Sequence, residues 1–190
     1  MNIYYYLQQL SKKDHLPNDL STKPTNMMTH LTWKKGILSS SYVLFSGSSA
    51  IGVLKENTWS QSAEGMLNNK KYHFRTSGFF SPYTLITDLD SNIVVGKITY
   101  NAWRTKASIM YKNKVFEMSY QNMWNSKWIV FDREGMRLDY QGSSTKGSVS
   151  ATGTDELLLL AGLFISNYNW QTSIAIMVAV FVPLYVTLLS

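Results

Sequence analysis

"DELLLLAGLFIS" occupies residues 155–166, and from Leu157 to the last residue, Ser190, no side chain is charged. Read as a helix, this run is apolar on every side, so it has to be covered on every side. Thr154 or Asp155 can cap its first turn, and the carboxylates of Asp155 and Glu156 are favourably placed at its positive end. Ala161 and Gly162 leave room for strands to approach closely. Whether lipid or protein supplies the cover depends on what precedes the run.

What precedes it reads as a succession of short strands. Between His30 and Thr152, segments rich in aromatic and β-branched residues alternate with turn-like clusters at 46–49 (SGSS), 67–71 (LNNKK), 88–92 (DLDSN), 111–114 (YKNK) and 132–135 (DREG). Phe116, Met118 and Tyr120 share one face while Glu117 and Ser119 take the other. Met136, Leu138 and Tyr140 alternate in the same way with Arg137, Asp139 and Gln141. This spacing predicts an all-β sandwich or barrel of about twelve strands.

An internal repeat favours the barrel. "GVLKENTWSQSAEGMLNNKKYHF" from Gly52 aligns without gaps on "GKITYNAWRTKASIMYKNKVFEM" from Gly96, with seven identical positions, Trp59/Trp103 among them. Each copy holds about three strands, and a duplicated unit of this kind suits a closed, quasi-symmetric barrel. A barrel of roughly eight strands is filled by its own side chains, whereas a wider one needs something else in its lumen. The helix at 155–167 is suited to that place. The expected fold is all-β with a central helix: a closed antiparallel β-barrel of roughly twelve strands, plugged by an apolar C-terminal helix.

The rest of the chain divides around this unit. Ile3, Tyr6, Leu7 and Leu10 fall at helical spacing, and a polar stretch with Pro17 and Pro24 follows, so 1–29 reads as a short helix and an arm. Barrel and plug fill 30–167. "NYNWQ" at 167–171 reads as a polar and aromatic break before a second uncharged helix, 172–189. Its length, about eighteen residues, is near the lower limit for a bilayer span. Tyr168 and Trp170 suit the interface at its start, and Pro183 is tolerated in membranes. A membrane anchor is expected here; packing on the barrel mouth, or self-association through 172–189, is the alternative.

Charge and chemistry narrow the function. The net charge is +6, with every Lys and Arg at or before Lys146, which points toward acidic partners. Cysteine is absent, and the first residues lack the basic start and apolar run of a signal peptide, so the barrel is expected on the cytoplasmic face of the membrane. His15, His30 and His73 have no metal-ligand spacing. "DLDSN" opens like a calcium loop but has Ile93 where Gly is needed, and "GSSTKGS" at 142–148 fails the phosphate-loop pattern. No catalytic residue, metal or cofactor is expected, and the protein is read as non-enzymatic.

The residues "LTWKK" (31–35), "IGVLKENTW" (51–59), "VVGKITYNAW" (94–103), "KWIVFD" (127–132) and "DELLLLAGLFI" (155–165) carry a resemblance. Over residues 30–167 the chain resembles the tubby C-terminal-like group, which includes LURP-one-related proteins and phospholipid scramblases, and most of all its small bacterial members. The resemblance implies membrane association. The stretch that corresponds to the scramblases' calcium segment has acids only at Asp155 and Glu156.

Two hairpins of the repeat carry the cations that would meet anionic head groups: Lys70, Lys71 and Arg75 on one, Arg104, Lys106, Lys112 and Lys114 on its equivalent. The plain alternative is a solubilising rim. Trp59 and Trp103, repeated at equivalent places, read as packing residues rather than ligand platforms. Nucleic acid is not expected, because the cations are interspersed with acids. The expected function is a membrane-associated scaffold that binds anionic phospholipid head groups. The alternatives are a soluble protein-interaction module that self-associates through its tail and, more weakly, scramblase-like lipid transfer.

Overall fold

The computed structural model describes residues 28–36, 39, 41–57, 61–78, 80–153 and 155–189, without the side chains at 180, 184, 185, 188 and 189. The helix and arm expected in 1–29, and also Trp59 and Thr154, lie outside the described residues.

Twelve strands form the wall: β1 (Thr29–Lys35), β2 (Ser41–Ser46), β3 (Ser49–Asn57), β4 (Ser62–Leu67), β5 (Lys70–Ser77), β6 (Tyr83–Asp88), β7 (Ile93–Tyr100), β8 (Lys106–Tyr111), β9 (Lys114–Tyr120), β10 (Lys127–Phe131), β11 (Arg137–Gly142) and β12 (Lys146–Ala151). Each pairs antiparallel with its neighbours in sequence, and β12 returns to pair with β1, closing the barrel. Closure leaves no unpaired edge. Alternation along each strand sorts the side chains: in β5, Tyr72, Phe74 and Thr76 are buried while Lys71 and Arg75 face out.

The sequence repeat is a structural one. β4 and β8 begin at equivalent residues, Ser62 and Lys106, and so do β5 and β9, at Lys70 and Lys114. Between them, Asn68–Asn69 and Lys112–Asn113 all take positive φ, from 49° to 66°. That is the backbone of the two-residue turn whose twist matches a hairpin. The register shift between Leu44 and Phe45 recurs between Ile86 and Thr87, beside Gly52 and Gly96 of the two copies.

The lumen is filled by one helix, α1 (Glu156–Leu189), of 34 residues. Asp155 caps it, its Oδ1 accepting from the backbone N–H of Leu157 at 3.1 Å and of Leu158 at 3.3 Å. Leu157 to Ala161 and Leu163 to Ile165 are buried on all sides. Glycines set how closely helix and wall approach. A Cβ on Gly65 of β4 would lie 2.9 Å from Leu160, and one on Gly162 would lie 2.4 Å from the Tyr140 hydroxyl. That hydroxyl donates to the carbonyls of Leu158 and Leu159, and Trp128 Nε1 donates to the Gly162 carbonyl, so two strands are fastened to the plug.

Three expectations need correction. "NYNWQ" does not interrupt the helix, which runs through it without a break. The stretch has no Gly or Pro, and Asn167 and Gln171 find partners on the barrel rim instead of ending the helix. Tyr168 lies inside the barrel, its ring 5.0 Å from that of Tyr100, and not at an interface. Trp103 is a loop-tip residue and not a packing one, 86% exposed. Past Trp170 the helix leaves the barrel, with Ile176, Met177, Val178, Phe181, Val182 and Val186 exposed. Among the described residues, no helix is long and apolar enough to cross a membrane.

Candidate functional site: the end of the barrel where the helix emerges

Strand direction gives the barrel two unlike ends. α1 begins at one, among the tight turns after β2, β4, β6, β8 and β10. It leaves through the other, among the loops after β5, β7, β9 and β11. The acids gather at the entry end: Asp88, Asp90, Asp132, Glu134, Asp155 and Glu156 all sit in or beside its turns. The described loops of the exit end hold no acid at all. They carry Phe80 (95% exposed), Trp103, Met123 (97%) and Trp124 (89%), and Trp170 of the helix stands among them.

The seven cations expected to meet head groups are therefore not brought together. Lys70, Lys71, Lys112 and Lys114 are at the entry end. Three of these are paired: Lys70 with Glu156 at 3.0 Å, Lys112 with Asp155 at 3.1 Å, and Lys114 with Glu134. The hydrogen bonds accepted by Glu156 and Glu134 raise the pKa values of Lys70 and Lys114, and a hydrogen bond to Tyr111, followed by that to Asp155, raises that of Lys112. Arg75 projects from the wall two residues before β5 ends at the exit. The Arg104 guanidinium lies over the Tyr168 ring, its Cζ 5.4 Å from the ring centroid. Lys106 is exposed at the exit end, and Lys127 and Lys146, at the starts of β10 and β12, join it there. No ion pair among the described residues involves Arg75, Lys106, Lys127 or Lys146.

Inside the exit mouth, a polar cluster holds the helix to the wall. Lys35 Nζ and Tyr42 OH both donate to Asn167 Oδ1, each at 2.8 Å. Asn167 Nδ2 and Gln171 Nε2 both donate to Glu56 Oε2, the latter at 2.9 Å. Burial pushes the Glu56 carboxyl up to about 7, against the opposing pull of Lys35 and the two amide hydrogen bonds. The same burial lowers Lys35 and raises the Tyr42 hydroxyl. Also toward the exit end, a chain of hydroxyls runs from Thr76 through Thr84 to Tyr100, at 2.7 Å for each link. Among the described residues, no group of three or more His, Asp or Glu side chains is placed to hold a metal ion.

Sequence reading missed this end of the molecule. Its one signal was apolar residues in turns, "GFFSP" at 78–82 and "NMWN" at 122–125, where polar residues are the rule. The cluster around Glu56 had none, because β3, β1 and α1 meet only in the closed barrel. No protein-family model, curated protein or solved structure matches the chain.

Proposed function

We propose that the protein docks the exit end of its barrel on an anionic bilayer, with residues 172–189 in the hydrocarbon, and serves there as a non-enzymatic scaffold. One observation carries this: the apolar tail, the aromatic loop tips and the exposed, unpaired Lys106, Lys127 and Lys146 share one end, and the exposed acids of the turns gather at the other. Indole rings favour the boundary between headgroups and acyl chains. Each cation near an anionic leaflet contributes about 1 kcal/mol. Eighteen uncharged helical residues, 172–189, reach about 27 Å, close to a hydrocarbon thickness of about 30 Å. The described side chains alone fall short of a spanning helix. The remaining tail residues, at 180, 184, 185 and 188–190, are mostly apolar in sequence. The resemblance to the tubby C-terminal-like group supports membrane association without naming a lipid.

This reading keeps the anchored tail and the anionic lipid but moves the headgroup contact. Lys70, Lys71, Lys112 and Lys114 face away from the bilayer; Arg75, Lys106, Lys127 and Lys146 face it. The test is membrane fractionation of the full chain and of a form ending at Asn169. The full chain is expected to resist both high salt and alkaline carbonate, and the shortened form to be released by salt with its barrel folded. A full chain that is soluble without detergent, as a defined oligomer, would instead make it a module that self-associates through its tail.

A further inference from the structure

Between α1, the ends of β1 and β2, the β9–β10 loop and the β11–β12 turn, the exit end encloses a cavity of about 660 Å³. Small-ligand pockets fall in the range of roughly 300–1,000 Å³. Two buried side chains in its lining hold polar atoms short of a well-formed hydrogen bond. Trp33, 3% exposed, leaves its Nε1–H without an acceptor, and Asn169, 5% exposed, has the Tyr120 hydroxyl beside its amide without a well-aligned bond to it. Unpaired buried polar groups are costly, so they are rare without a purpose.

These atoms specify a chemistry. Trp33 Nε1 and Asn169 Nδ2 need acceptors, and Asn169 Oδ1 needs a donor. A hydroxyl group is both. Lys35 is the one charged residue in the lining, and its ammonium is engaged with Asn167, which Glu56 holds from the other side. A phosphate would find a single committed cation with a carboxyl group behind it. An uncharged ring bearing several hydroxyls finds what it needs: the C–H face can lie on Trp124 or Trp170, and the hydroxyls reach the amide and the indole N–H. We propose that this cavity binds an uncharged saccharide unit, presented by a sugar-headed lipid of the bilayer. Only the lipid source rests on the docking reading above; the preference for a saccharide does not.

The test uses the full chain in zwitterionic detergent and saturation-transfer NMR, with methyl β-glucoside and glycerol 1-phosphate as probes. Transfer to the sugar ring protons is expected, and Trp33→Phe and Asn169→Ala should each weaken binding about fivefold, the factor one neutral hydrogen bond represents. Trp33→Phe keeps the aromatic face, so it decides the matter if Asn169→Ala fails to fold. A second arm floats the protein with phosphatidylcholine–phosphatidylserine vesicles, with and without a glucosyl diacylglycerol. Stronger flotation with the sugar lipid supports the lipid source. Sugar transfer with no gain in flotation supports the saccharide site and overturns the lipid source, and no flotation with either vesicle counts against docking alone. No transfer to the sugar in the folded protein, stronger transfer to glycerol phosphate, or equal transfer in Trp33→Phe overturns the proposal.

Discussion

A Cβ at Gly162 would lie 2.4 Å from a Tyr140 hydroxyl that two helix carbonyls hold in place, so neither partner has room to move. Gly162→Ala should therefore destabilise the barrel by about 1–3 kcal/mol, and by clearly less in a Tyr140→Val background. Denaturant titration of the four forms of the double-mutant cycle measures this; equal costs in both backgrounds would place the helix elsewhere. Glu56 gives a second prediction. Its carboxyl titrates near 4.5 in the unfolded chain and near 7 in the folded one. Between these values the folded protein keeps a proton that the unfolded chain has released. Stability should therefore fall as pH rises from about 4.5 to about 7, by something on the order of 3 kcal/mol, and then level off. Glu56→Gln keeps a carbonyl acceptor for Asn167 and Gln171, so it should flatten this slope and melt higher than the parent at pH 8. A parent whose melting temperature rises through that window would show that Glu56 is ionised throughout.

Among the elements, α1 and the exit loops would carry the proposed docking. The helix was legible as a plug because a run with no charge and no polar face has few other places to go. The strands were legible because apolar residues alternate and Asn-rich turns recur in the two copies of the repeat. What was not legible is which end of the barrel each hairpin lies on. Lys70 and Arg75 are five residues apart on one strand, yet they face opposite ends of the molecule. For the same reason Lys112 and Lys106, close in sequence, differ in partners: one meets the acid that caps α1, the other meets none among the described residues. The prediction at this scale is a comparison. In a form ending at Asn169, changing Lys106, Lys127 and Lys146 to Gln should weaken binding to anionic vesicles. The loss should fade as salt shortens the Debye length below about 8 Å. Changing Lys70, Lys112 and Lys114 to Gln should leave vesicle binding alone and lower stability only slightly, since solvent screens exposed pairs. Vesicle binding that depends on the second set and not the first would reverse the assignment of ends.

For the whole molecule, the proposed docking has the barrel stand on the bilayer by the end from which its helix emerges. Acid-free loops, aromatic loop tips and apolar tail agree on that end among the described residues, although the loops are far apart in sequence. Such agreement across independent features is what selection for one surface leaves behind, while a merely solvated protein has no reason to polarise in this way. The chain has no cysteine, so single cysteines can be introduced without background. Placed in the full chain at Asn125 of an exit loop and at Asn69 or Asn113 of an entry turn, and labelled with an environment-sensitive fluorophore, they report depth through a quencher carried on lipid headgroups. In reconstituted vesicles, the label at Asn125 should be strongly quenched and those at Asn69 and Asn113 should be as bright as in detergent without quencher. Quenching at the entry turns with none at Asn125, or none at any of the three, would contradict the account.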